Sequence, residues 1–204
     1  MLDTYQTIAS SGEACHTEKR SRFLAFAHHV TTVDEAKAII ASYRKKYFDA
    51  RHVCYAYTLG YDSSITRQND DGEPSGSAGK PIGGQLRSAN VTNAIVLVVR
   101  YFGGVKLGTG GLAVAYKTAA AEALASAIIE ERIIMKHFII SAPYAEADIA
   151  MRYVRDTGAQ ISRREYTATD VILNISVRLS DENILRSRLT NILSLRFIDK
   201  DSPA

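Results

Sequence analysis

Cysteine is scarce in this sequence: Cys15 and Cys54 are the only two among 204 residues. They form no Cys-x-x-Cys pair, which argues against a disulfide framework and against a four-cysteine zinc site. No apolar run approaches the roughly 18 residues needed to cross a bilayer. The first ten residues lack the charged-then-apolar layout of a signal peptide. Together these absences predict a reducing, cytoplasmic setting and no membrane partner. Low-complexity stretches, blocks of like charge and internal repeats are also missing. What remains is 46% hydrophobic and 23% charged, the balance of a globular protein with room for one large domain or two small ones. The net charge is +3. Residues 1–136 carry 16 Lys/Arg against 13 Asp/Glu, and residues 137–204 carry nine of each. The positive excess therefore lies in the first two-thirds of the chain, where it permits contact with an RNA backbone without demanding it.

The apolar periodicity divides the chain at 135/136. In the first part, Tyr5 to Ile8 reads as a short strand and Arg22 to Val30 as a longer one. Thr32-Val33-Asp34-Glu35 reads as a capping box, opening a helix that ends near Lys46. His52 to Leu59 alternates as a strand, with His52 and Cys54 on one face and Val53, Tyr55 and Tyr57 on the other. Residues 60–79 read as polar turns, and Lys80 to Ser88 as a short helix. Ala94 to Tyr101 is almost wholly apolar and predicts a strand buried on both faces. A glycine-rich loop and an alanine-rich helix from about Leu112 to Glu130 follow. The second part reads as strand (His137 to Pro143), helix (Ala145 to Thr157), strand (Gln160 to Thr167), strand (Val171 to Leu179), helix capped by Ser180, and strand (Leu195 to Ile198). That β-α-β-β-α-β order is the ferredoxin-like pattern. The fold class expected is α+β, with domains at 1–135 and 136–204.

The strongest local signal is the strand, glycine loop and helix of residues 94–130, where five glycines fall within residues 103–111. The first turn of a helix leaves backbone N–H groups unpaired, and the helix dipole places partial positive charge there. Glycines let an anion approach those groups, and Arg100, Lys106 and Thr109 would add charge and a hydroxyl. The spacing is not that of a Walker A loop; Gly108-x-Gly110-x-x-Ala113 fits the looser dinucleotide pattern, without a second βαβ half. The same glycines can equally serve positive φ angles and close helix–strand packing. Asp70-Asp71-Gly72-Glu73-Pro74 reads as a β-turn or as carboxylates for a divalent ion, though without the ligand spacing of a calcium loop. His52 and Cys54 share a face but two ligands make no metal site. His28 and His29 point to opposite faces. Arg163, Arg164, Arg186 and Arg188 offer a basic face or an ordinary solvated surface. No spacing justifies a nucleophile triad.

Four segments, in order, resemble the YigZ/IMPACT family: Ser21-Arg22-Phe23; Ala50-Arg51-His52-Val53-Cys54-Tyr55-Ala56; Asp70-Asp71-Gly72-Glu73-Pro74-Ser75-Gly76-Ser77-Ala78-Gly79-Lys80-Pro81; and Val98-Val99-Arg100-Tyr101-Phe102-Gly103-Gly104 running to Leu107-Gly108-Thr109-Gly110-Gly111-Leu112. The resemblance covers about residues 15–118. It implies a ribosomal protein S-five domain-2-like β-α-β fold, shared with the GHMP kinases, for the first domain. It also implies a ferredoxin-like second domain resembling the C-terminal domain of elongation factor G. Both likenesses point to translation or its regulation. The extra N-terminal domain through which eukaryotic relatives restrain the starvation kinase has no counterpart here, so that role does not carry over. A peptidase role finds neither metal ligands nor a triad in these residues.

The expected function is a non-catalytic binding protein that contacts RNA or a ribosome-associated protein; DNA, a cofactor and a metal are not expected. The candidate RNA- or anion-binding residues are Arg22, Lys80, Arg100, Tyr101, Gly103, Gly104, Lys106, Gly108, Thr109, Gly110 and Gly111, with His52, Asp70, Asp71 and Glu73 as a neighbouring surface. Two rivals stand beside this reading: an enzyme or sensor for a small phosphorylated ligand, with Asp70 or Asp71 positioning a metal, and a protein-only interaction module.

Overall fold

A computed structural model of the chain describes residues 3–198. The chain forms two compact units, Tyr5–Arg132 and the residues from Ile133 onward, the latter joined by Asp3 and Thr4. The architecture is α+β with three separate sheets.

The first unit is built on strands β1 (Thr4–Ser10), β2 (Gly12–Glu18), β3 (Ser21–His29), β4 (His52–Leu59), β5 (Ile65–Asn69), β6 (Ala94–Tyr101) and β7 (Ile128–Ile133). Its helices are α1 (Val33–Lys46), α2 (Gly79–Ser88) and α3 (Gly108–Ser126). Five strands form one antiparallel sheet in the order β2-β3-β6-β4-β5, and β1 pairs with β7 in a small second sheet. Strand β6 sits at the centre, which explains its composition. Val96 and Val98 face one core with Phe23, Ile82 and Tyr116, while Ile95, Leu97 and Val99 face another with Phe26, Tyr55 and Ile40. Helices α2 and α3 cover the first face and α1 the second. Ala115, Ala119 and Ala123 of α3 are fully buried; their small side chains bring the helix close to the sheet, where Phe23 and Tyr116 meet edge to face at 5.0 Å. Thr32 caps α1 through the Glu35 amide at 3.1 Å, and the Glu35 carboxylate accepts from the Thr31 amide at 2.6 Å.

Three elements differ from the sequence reading. Helix α3 begins at Gly108 and ends at Ser126 instead of spanning 112–130, because the glycine run itself forms the first helical turn and the Ile/Glu/Arg segment after it becomes β7. Strand β2 occupies a segment left unassigned from the sequence, and β5 lies within one read as polar turns. β5 is almost wholly exposed and polar, so no apolar alternation marks it.

The second unit contains β8 (Met135–Pro143), α4 (Tyr144–Asp156), β9 (Gln160–Tyr166), β10 (Asp170–Arg178), α5 (Glu182–Thr190) and β11 (Arg196–Ile198), with a 3-10 turn at Leu179–Asp181. Its sheet has the order β11-β8-β10-β9. Ile140, Leu173, Ile175 and Val177 form the core with Ala150 and Val154 of α4 and Leu185 and Leu189 of α5. Ser180 does not cap α5: its amide and hydroxyl donate to the Asp3 carboxylate at 2.9 and 3.0 Å. That contact, with the Ile134 amide on the Asp3 carbonyl, ties Asp3 to this unit. Two of the four arginines read as a basic face or an ordinary solvated surface have partners of their own. Arg163 pairs with Glu165, whereas Arg186 lies over the Phe138 and Phe197 rings. Among the described residues no helix is long and apolar enough to cross a membrane.

Candidate functional site

The candidate residues converge where β6, the acidic turn and the head of α3 meet. Strand alternation puts Arg100 on the same face as its register partners Phe23 and His52. The guanidinium lies between the rings of Phe23 and Phe102, 5.6 Å from each centroid. It is only 7% exposed, so its charge requires a partner. That partner is Glu73 of the acidic turn, whose Oε1 accepts from Arg100 Nη1 at 2.6 Å and from the Tyr116 hydroxyl at 2.8 Å. His52 Nε2 lies 3.9 Å from the same oxygen. His52 Nδ1 sits 2.7 Å from the Asp71 carbonyl, a pairing that requires the proton on Nδ1. Arg100 Nε has no hydrogen-bond partner.

The acidic turn is a brace. The Asp70 carboxylate accepts from the amides of Gly76, Ala78 and Gly79 at 2.8–2.9 Å. Burial works to raise its pKa, and the three amides outweigh that and hold it below the ordinary carboxylate value. Asp71 accepts from the Val53 amide at 2.7 Å and pairs with Arg44. Both carboxylates thus accept hydrogen bonds from the chain itself. Among the described residues no cluster of His, Cys, Asp and Glu has a metal-binding arrangement. Cys54 is buried 3.0 Å from the Asp70 carbonyl and 3.3 Å from the Tyr116 hydroxyl. Burial pushes its thiol pKa far up, and burial, followed by the neighbouring Cys54, does the same to the Tyr116 hydroxyl. Neither is poised as a nucleophile.

Above this floor opens a cleft of ≈ 390 Å³, bordered by Arg51, Pro74, Phe102, Lys106, Gly108 and Thr109 as well as His52, Glu73 and Arg100. The head of α3 forms one wall. Leu107 stands at its N-cap, no side chain caps it, and its first turn holds no acidic residue. The glycines divide by role. Gly104 and Gly108 have φ of +85° and +72°, conformations that side chains resist. Gly103 packs so closely that a Cβ would lie 2.0 Å from the Arg20 carbonyl carbon. At Gly110 a Cβ would meet nothing within 4 Å, so neither backbone angle nor packing calls for glycine there.

The structure therefore lines the cleft with Arg100, Lys106, Gly108, Thr109, His52 and Glu73, sets Asp70 and Asp71 against Cys54 and His52, and places Arg22, Tyr101 and Lys80 elsewhere. Tyr101 and Arg22 are register partners on the opposite face of the sheet. The Tyr101 hydroxyl donates to Asp49 at 2.8 Å, which raises its pKa. Lys80 lies on α2 beside a different groove, with Arg87 and Lys117. Arg51, Phe102 and Tyr116 were not singled out from the sequence. Arg51 and Phe102 lie inside the motifs that carry the family resemblance, and Tyr116 is the one aromatic side chain within the alanine-rich helix.

The fold and cleft define a class: a two-unit α+β protein whose larger unit holds a buried Glu–Arg–Tyr network beneath an uncapped, glycine-rich helix terminus. Among protein families, the Impact N-terminal domain matches residues 19–124. IMPACT family member YvyE of Bacillus subtilis is 39% identical over 144 residues, covering 71% of this chain and 66%, just under two thirds, of that protein. IMPACT family member YigZ of Escherichia coli is 34% identical over 161 residues, 78% of each chain. A solved structure described only as that of an hypothetical protein superimposes with a TM-score of 0.73 at 29% identity, covering 98% of this chain and all of that one. The chain belongs to the IMPACT family.

Proposed function

We propose that this protein is a non-catalytic binding protein of translation or its regulation, and that it contacts RNA phosphates, free or on the ribosome, through the cleft at the head of α3. The observation that carries the reading is the uncapped first turn of a 19-residue helix facing a cleft whose border includes Arg51 and Lys106. Unpaired amides, helix dipole and two exposed cations act in one direction there. Neither cation forms an ion pair among the described residues. Family membership supports the translation setting, as the resemblance implies. So do the finer likenesses we infer for the two units: a ribosomal protein S-five domain-2-like first unit, and a ferredoxin-like second unit, for which the β11-β8-β10-β9 order with two helices speaks. The setting proposed is cytoplasmic.

The test is binding of single-stranded RNA at a series of salt concentrations. Each phosphate contact contributes about −0.7 to the slope of log affinity on log salt. Arg51→Ala with Lys106→Ala should reduce the slope by about 1.4 in magnitude. Affinity that is flat with salt, or a slope the double variant leaves unchanged, would sink the reading.

A further inference from the structure

The cleft holds more than a phosphate site, and we infer that it accepts a single nucleotide bearing a terminal phosphate, with its phosphate at the head of α3 and its base on Phe102. The inference rests on the anion-binding reading above and names the ligand class. Charge is the first argument. Three cations, Arg51, Arg100 and Lys106, border the cleft against one carboxylate, Glu73. Glu73 is spent on Arg100, which leaves two positive charges. A phosphate monoester carries about −1.5 to −2 near neutral pH, whereas a diester in a continuous strand carries one negative charge. Arg100 adds an observation independent of the helix terminus: it is 7% exposed, lines the cleft, and its Nε lacks a hydrogen-bond partner.

The second argument is the wall. Phe102 is 53% exposed although it is a large apolar side chain at the end of the central strand. The Arg100 guanidinium lies over its ring, so the ring is held from one side and open on the other. Pro74, Leu107 and Leu112 extend the apolar lining. An aromatic platform beside a cationic pocket is the arrangement with which proteins hold an unpaired base and its phosphate. A cleft of ≈ 390 Å³ lies at the small end of ligand pockets, suited to one nucleotide and too small for a duplex. The nucleotide can come from two sources, a free nucleoside monophosphate or the phosphorylated end of an RNA strand.

Calorimetric titration of the full chain tests this with inorganic phosphate, a panel of nucleoside monophosphates, the matching nucleosides, and a short single-stranded RNA with and without a 5′-phosphate. At least one phosphorylated nucleotide, free or at the RNA end, is expected to bind more tightly than inorganic phosphate and than its unphosphorylated counterpart. Phe102→Ala should weaken it roughly tenfold or more, as loss of one stacked base does, and leave inorganic phosphate binding in place, while Phe102→Tyr should retain affinity. Response to the free nucleotide alone assigns the site to a metabolite; response to the phosphorylated RNA alone assigns it to an RNA end. Nucleotides that bind no better than inorganic phosphate, or a Phe102→Ala variant that binds them unchanged, would overturn the nucleotide assignment and leave the anion site standing. No binding of phosphate, nucleotide or RNA would overturn both.

Discussion

Replacing Glu73 with glutamine exchanges one oxygen for an amide nitrogen and removes one charge from the floor of the cleft. The Glu73 side chain is 3% exposed and that of Arg100 is 8%, so water cannot take over the lost partner. Removing one member of a buried ion pair costs about 3–5 kcal/mol, because the remaining charge stays desolvated without compensation. Glutamine can place its oxygen where Glu73 Oε1 accepts from both Arg100 and Tyr116, but it brings no charge to compensate Arg100. About 3 kcal/mol is therefore the expected loss, or on the order of 10 °C in the midpoint of the first unit. Arg100→Met should cost a similar amount by leaving Glu73 unpaired. The double variant is expected to recover about 2 kcal/mol or more relative to the sum, since it leaves neither charge buried without its partner. Urea unfolding of the four proteins, followed by circular dichroism, gives the coupling directly. A Glu73→Gln loss below 1 kcal/mol, or additive single losses, would refute the claim that this pair holds the cleft together.

Other outcomes follow from single features. Gly103→Ala should destabilise by about 1–3 kcal/mol, because its Cβ meets the Arg20 backbone; Gly110→Ala, with open space around it, should stabilise the protein by about 0.5–1 kcal/mol. Thermal melts read both changes, and a Gly110→Ala protein no more stable than the parent would contradict the open space at that position. The Asp70 carboxylate has a folded pKa below its unfolded value, so its stabilisation is complete above the ordinary carboxylate value and lost as pH falls through the folded one. Asp70→Asn should accordingly flatten the acid side of the stability curve in urea melts below about pH 5, and an unchanged acid limb would contradict the three-amide brace. Cys15 is exposed and Cys54 buried; a thiol reagent should modify one cysteine in the native chain and two in denaturant, and two reactive native thiols would contradict the burial of Cys54.

The elements that could be read from the sequence are those whose burial writes a period into the chain. β4 and β6 alternate or saturate with apolar residues because they lie inside a sheet covered on both faces, and the shared face of His52 and Cys54 followed from the same alternation. β5 and β7 carry exposed, mixed residues, and pairing with a neighbour rather than burial makes them strands. The site was legible as motifs but not as chemistry. Lys106, Gly108 and Thr109, read from the sequence as anion-site candidates, line the cleft at the head of α3. Arg100 reads from the sequence as a free cation, whereas the fold gives it a carboxylate 27 residues away. Asp70 and Asp71 read as free carboxylates because hydrogen bonds from Gly76, Ala78, Gly79 and Val53 leave no periodic trace. These assignments also decide which mutations are informative: Arg100 is a poor probe of binding because its loss disturbs the floor, whereas Arg51 and Lys106 are exposed at the rim.

The most direct test of the central claim is sedimentation of the tagged protein through sucrose gradients of cell lysate at low and moderate salt, beside the Arg51→Ala, Lys106→Ala double variant. Co-migration with ribosomal particles at low salt, reduced at moderate salt and lost in a double variant that melts like the parent, is the predicted result. Parent protein that stays at the top of every gradient, or a double variant that still co-migrates, would contradict the account of this cleft as the contact with the translation machinery.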